Sequence, residues 1–193
     1  MLTRYPVDGL QLDYIRFNEN PSCFCRHCRR EFERQLGRSL RHWPADALDG
    51  AFASRFRQWR VTVIDDWVRE LAAVARNARP GLVLSAAVFP NLARARVEKA
   101  QDWQAWLDRG DVDYVCLMNY VTDPAQFDQR NRDALATVAS PKQLVVGIGS
   151  WKFTAARDVQ AQIAATRRRG IPGFALFSYD DAAARDFLPQ LAR

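Results

Sequence analysis

The chain has 193 residues, 48% of them hydrophobic, enough for one well-buried domain, and no run of about twenty apolar residues that would cross a membrane. The first six residues hold no secretory h-region, so a cytoplasmic location is the default expectation. The net charge of +6 comes almost wholly from arginines spread along helical segments and interleaved with acids, as in Arg69-Glu70 and Arg157-Asp158; this is a solvated face rather than a phosphate track, and nucleic-acid binding is not expected.

Residues 7–16 read as a strand that ends in charge. Leu10, Leu12 and Tyr14 alternate with Gly9, Gln11 and Asp13, and a strand sends alternate side chains to opposite faces. One face suits helices; the other carries a small residue, an amide and a carboxylate. A buried polar row is costly unless it is paired or used. Asp13 therefore either serves a site, caps the next segment or pairs with Arg16. A loop over 17–22 follows, with Asn18, Asn20 and Pro21 as breakers. Then Cys23-Phe24-Cys25-Arg26-His27-Cys28 leads into a helix over about 29–36, ended by Gly37. This C-x-C-x2-C spacing suits tetrahedral zinc better than disulfides. A fourth ligand is then needed, and His27 is the nearest in sequence. Residues 38–50 read as a loop around His42-Trp43-Pro44. A long amphipathic helix over 51–77 is expected, with Phe52, Phe56, Trp59, Val63, Trp67, Leu71 and Val74 at three- and four-residue steps. Pro80-Gly81 stops it.

A second strand covers 82–89 and closes at Pro90-Asn91. A short helix carries Trp103, Trp106 and Leu107 and ends at Gly110. The third strand spans 112–120, with Cys116 as a core residue, and a helix over 124–138 follows. The fourth strand, 144–148, opens through Gly147 and Gly149 toward Ser150-Trp151. A helix over 155–169 carries Arg167-Arg168-Arg169 at its C-terminal end, where cations suit the helix dipole. The fifth strand, 173–179, ends in Asp180-Asp181, and a short helix closes the chain.

Strand and helix alternate five times, and each strand is a nearly continuous apolar run, as expected where both faces are covered. That order predicts a parallel α/β sheet with right-handed crossovers. Polar and aromatic residues gather at the strands' C-terminal ends: Asp13 to Arg16, Asn91, Tyr120, Trp151 and Tyr179. In parallel α/β folds, open or closed, ligands bind at that edge. Nucleotide folds lose support, because the chain holds neither G-x-G-x-x-G nor G-x-x-x-x-G-K-[ST]. Flat rings beside carboxylates and amides suit a sugar.

The segments Asp8-Gly9-Leu10-Gln11-Leu12-Asp13-Tyr14-Ile15-Arg16-Phe17, Trp59-Arg60, Ser85-Ala86-Ala87-Val88-Phe89, Gln101-Asp102-Trp103, Trp106-Leu107, Val112 through Tyr120, and Val146-Gly147-Ile148-Gly149 resemble, in order, the glycosyl hydrolase-like family 10 barrels. The resemblance implies a partial (β/α)8 TIM barrel, with the five strands standing for barrel strands four to eight. Residues 1–193 would then be a single C-terminal portion of a glycosidase-like barrel, truncated at its start. It implies a glycoside hydrolase acting on a polysaccharide. The alternative is a non-catalytic carbohydrate-binding remnant or pseudo-enzyme. A more distant likeness to family 18 chitinases rests on the leading Asp-Gly, on Met118 and on Tyr120; Ile15 falls where those enzymes carry their proton donor, so their mechanism is not carried over.

Glycoside hydrolysis generally needs two carboxyl groups. Asp13 is the first candidate. Asp180 is the second, with capping of the following helix as its bland role; Asp123-Pro124 reads more simply as a helix cap. Tyr14, Arg16, Asn91, Tyr120, Trp151 and Tyr179 are the expected sugar contacts. Cys23, Cys25 and Cys28 are the expected ligands of a structural zinc, a cluster similar to one in zinc-bearing family 42 β-galactosidases. No catalytic cofactor or membrane partner is expected. Unpaired sheet edges predict self-association.

Overall fold

The computed structural model describes residues 5–18, 23–179 and 188–191. Five strands form one parallel sheet in chain order: β1 (Gly9–Leu12), β2 (Val83–Val88), β3 (Tyr114–Met118), β4 (Leu144–Gly149) and β5 (Gly173–Phe177). Between them lie α1 (Arg26–Leu36), α2 (Ala45–Leu48), α3 (Ala53–Ala78), α4 (Leu92–Arg94), α5 (Trp103–Asp108), α6 (Pro124–Leu135) and α7 (Ala156–Arg168), with α8 (Leu188–Leu191) last. The sheet curls into part of a TIM-like barrel with the helices on its outside.

The register sorts the side chains. Gln11 pairs with Ser85, Ala87 with Cys116, Met118 with Gly147, and Gly149 with Phe177, and these residues share the inner face. The alternate positions face the helices. Leu84, Ala86, Val88, Val115, Leu117, Leu144, Val146 and Ile148 are each at most 1% exposed. They pack with Ile64 and Val68 of α3, Trp103 and Trp106 of α5, and Val159 and Ile163 of α7. Each fully buried large side chain of this kind supplies roughly 1.5–3 kcal/mol.

The long helix buries a different stripe from the one its aromatic spacing predicts. Val63, Trp67 and Val74 are exposed, and Arg60, Val61, Ile64, Val68, Ala72 and Ala75 face inward instead. Apart from Arg60, the inward surface is built from small and β-branched residues that allow close approach. Phe56 and Trp59, nearer its start, are buried in a separate aromatic cluster with Phe32, Leu40 and Ala47. The first helix begins three residues before its expected start, because Cys25 caps it: the thiol sulfur accepts from Cys28 N–H at 3.5 Å. Gly37, at φ 70°, supplies the left-handed turn that ends it. The expected loop over 38–50 contains α2, and residues 92–99 form α4 and a π-turn that periodicity does not reveal.

Candidate functional site

The inner face of the sheet is lined by small residues low down and by aromatics at its C-terminal edge. Gly147 and Gly149 create that step. A Cβ on Gly147 would lie 2.7 Å from the Leu117 carbonyl oxygen, and one on Gly149 would lie 2.9 Å from the Trp151 ring. The space they leave is filled by Tyr120, Trp151 and Phe177. Tyr120 stacks on Phe177 at 5.5 Å between centroids, and Trp151 meets both edge-on at 5.0 and 5.4 Å. Trp151 and Phe177 remain 48% and 52% exposed, so two rings of the trio are open to a ligand.

Asp13 is exposed directly beyond β1, on the inner-face side of the alternation. One carboxylate oxygen accepts from Tyr14 N–H at 2.8 Å, which leaves the other available. Its charge reaches across the inner face: burial, then Cys116 and Asp13, push the Tyr120 hydroxyl up to about 12, with Arg16 opposing. Tyr14, at φ 54°, turns the chain so that its ring lies 4.2 Å from the Arg16 guanidinium. Arg16 also lies 5.3 Å from Phe89, and its Nε and Nη1 are buried without a hydrogen-bond partner among the described residues. Ile15 is buried in the main core, so its side chain belongs to the packed layer.

A cleft of about 380 Å³ opens beside this edge, lined by Phe89, Asn91, Met118 and Tyr120 together with charged groups from the adjoining turns. Asn91 caps α4, its side-chain oxygen accepting from Arg94 N–H at 2.9 Å. The cleft walls bring together Arg94, Glu98, Lys99 and Arg130. The sequence spreads its cations along helical segments among acids, yet the fold gathers three of them on these walls. Arg94 and Lys99 come from the continuous 92–99 stretch and Arg130 from α6, and the two meet only on folding. Glu98 is a carboxylate that sequence reasoning missed; Arg94, bonded to it, holds its carboxyl below the usual range.

Gln101 was also missed as a positioning residue. Fully buried, it accepts from Phe89 N–H at 3.1 Å and donates to the carbonyls of Ile15 and Ala87, each at 3.2 Å. It thereby ties the end of β1 to the end of β2. Trp103 adds a bond from its indole nitrogen to the Phe89 carbonyl at 3.1 Å. Asp123 takes the bland role, capping α6 by accepting from Gln126 N–H at 2.6 Å. Tyr179 lies exposed beyond β5, and Asp180 falls outside the described residues.

The cysteines form a second, separate group. The sulfurs of Cys23, Cys25 and Cys28 all lie within 4.8 Å of one another, so the cluster could bind a metal. The Cys28 N–H and the neighbouring thiols bring the Cys25 thiol down to about 7; burial and the same neighbours push Cys28 up to about 12. His27 is not part of the cluster. Its Nδ1 instead meets Arg30 Nη2 at 3.1 Å. The loop is pinned from beneath, since Phe24 stacks on Phe56 at 5.7 Å and its carbonyl accepts from the Trp43 indole at 3.1 Å.

The family model described as Glycosyl hydrolase-like 10 matches residues 1–165. No curated protein matches the chain. Among solved structures, the PgaB (BpsB) glycoside hydrolase domain from Bordetella bronchiseptica has the same fold, with a TM-score of 0.73 at 14% identity. The match covers 96% of this chain and 56% of that one, so this chain spans little more than half the length of that structure.

Proposed function

This chain belongs to the glycosyl hydrolase-like 10 family, and from that premise we propose that its sheet edge binds a polysaccharide and hydrolyses its glycosidic bonds. The observation that carries this reading is Asp13, an exposed carboxylate at the C-terminal end of an inner-face row, on the same sheet edge as the rings of Tyr120, Trp151 and Phe177. Asp13 acts as acid/base or nucleophile, one oxygen steadied by Tyr14 N–H and the other turned to the substrate. The exposed ring of Trp151, backed by Tyr120 and Phe177, stacks on a sugar face. Tyr14, Arg16, Asn91 and Tyr179 complete the contacts, and Asp180 is the proposed second carboxyl.

A second reading, carbohydrate binding without turnover, is favoured by one observation. Glu98, the carboxylate lining the cleft, is bonded to Arg94 through both oxygens, at 2.8 and 3.2 Å. It is a fixed anion and a poor proton donor. The two readings separate in an assay of reducing-end release from a panel of soluble polysaccharides. Release by the native chain that collapses in Asp13→Asn supports hydrolysis. Binding without release supports the second reading, and unchanged release in Asp13→Asn removes Asp13 from the chemistry.

We further propose that Cys23, Cys25 and Cys28 hold a structural zinc, with water as the fourth ligand. Zinc–sulfur bonds of about 2.3 Å place tetrahedral sulfurs roughly 3.8 Å apart, and the observed cluster needs little closure to reach that. Elemental analysis tests this: zinc retained by the native protein and lost in Cys25→Ser is expected, and three freely titratable thiols with no zinc would contradict it.

A further inference from the structure

The cleft beside Tyr120 carries more positive charge than it neutralises. Arg94 is matched by Glu98 in a two-point pair. Lys99 donates from Nζ to the Asn18 carbonyl at 2.7 Å and lies 5.2 Å from the Phe89 ring, and its charge adds only a minor pull to the Glu98 carboxyl that Arg94 already holds. Arg130, on α6, makes no hydrogen bond or ion pair with a described residue, and the charge facing it is that of Arg94. Burial and that like charge together hold its guanidinium below the ordinary arginine range. Arg16, packed against Phe89 on the other side, has two buried guanidinium nitrogens without acceptors among the described residues. Four cations from three stretches of chain, three of them lining the cleft and Arg16 packed beside it, thus stand with two carboxylates, Glu98 in the cleft and Asp13 on the neighbouring sheet edge. Holding unpaired cations in a partly buried cleft is costly unless an anion arrives there.

We propose that this cleft selects sugar chains bearing carboxylates, with Arg130 and Lys99 receiving the acidic substituent beside the ring held at Tyr120 and Trp151. The proposal rests on the carbohydrate reading above and narrows its substrate class. A guanidinium presents a planar fork that matches a carboxylate in two parallel bonds, and Lys99 adds a point charge from the adjoining turn. Asn91, exposed on the same wall, offers amide donors to neighbouring hydroxyls. A neutral chain would leave both cations desolvated without compensation, so the same groups that favour an acidic sugar disfavour a neutral one.

The test is calorimetric titration of the whole chain with oligogalacturonate, a neutral gluco-oligosaccharide of equal length, a sulfated oligosaccharide and a single-stranded oligonucleotide. The expected result is tightest binding of the oligogalacturonate, weakened by salt and weakened about five- to tenfold by Arg130→Gln, with the weak neutral binding unchanged. Lys99→Gln, on a different element, should give a loss of the same kind and guards against a folding defect in one variant. Equal binding of the neutral chain, with Arg130→Gln without effect, would overturn the acidic-sugar inference and leave the carbohydrate reading standing. Preference for the sulfated chain would overturn the carboxylate assignment. Preference for the oligonucleotide, or absence of all saccharide binding, would overturn both this inference and the reading beneath it.

Discussion

The two faces of one sheet obey different rules. On the outer face, eight strand residues from Leu84 to Ile148 are at most 1% exposed, and all are apolar. On the inner face the same strands carry mostly small or polar residues, Gly9, Gln11, Ser85, Ala87, Cys116, Gly147 and Gly149 among them, with the larger Met118 and Phe177 toward the C-terminal edge. The outer face is where the fold's stability lies. The inner face is kept clear for aromatic and charged groups at its C-terminal edge. Substitutions on the two faces should therefore separate stability from function.

The largest effect should come from the inner face without touching the fold. In a substrate-hydrolysing assay, Asp13→Asn should cut turnover by roughly 10²–10⁴-fold, the usual worth of an acid–base group, while its thermal midpoint matches the native chain. Next, Leu117→Ala on the outer face, fully buried in the native chain, should lower unfolding free energy in urea by about 2–5 kcal/mol. Gln101→Leu tests the connection between the faces. It strands the Phe89 N–H and the Ile15 and Ala87 carbonyls, and should cost about 1–3 kcal/mol while loosening ligand binding. A smaller effect follows from the sheet's margins. β1 and β5 each pair on one side only among the described residues, and open strand edges invite pairing. Sizing chromatography should show concentration-dependent association, and a monodisperse monomer at all concentrations would count against it.

The smallest effect concerns the outer surface. Hydrogen bonds from Arg169, at 2.6 and 2.7 Å, hold the Asp128 carboxyl below the usual range. A depressed carboxylate contributes stability that is present above its unfolded value and is lost as pH falls through the folded one. The pair is exposed and screened, so Asp128→Asn should shift the neutral-pH melting point only slightly, and the difference from native should vanish in acid.

How much of this was legible depends on how local the cause is. The alternation of Leu10 and Leu12 with Gly9, Gln11 and Asp13 states the facing of β1 outright, because the period is set by the backbone. The five strand–helix units follow from continuous apolar runs broken by Gly and Pro. On α3 the pattern misleads: Val63, Trp67 and Val74 make one helical stripe, while Val61, Ile64 and Val68 make another. Periodicity cannot choose between them; the sheet does, by favouring the smaller set. The cationic cleft was the least legible part. Arg94, Lys99 and Arg130 stand among acids in sequence, and only folding brings the 92–99 turn and α6 to one cleft, with Arg16 packed on Phe89 beside it. Gln101 has no local signature either, since its three partners lie on strands and turns distant in sequence.

The central claim is that ligand meets this protein at the inner face's C-terminal edge and nowhere on the packed layer. Amide NMR of the labelled chain during titration with acidic and neutral oligosaccharides tests it most directly. The account predicts perturbed signals at Asp13, Phe89, Asn91, Tyr120 and Trp151, with Val68, Val159 and Ile163 unmoved. Saturable shifts confined to the outer helices, or to the cysteine loop and α1, would contradict it.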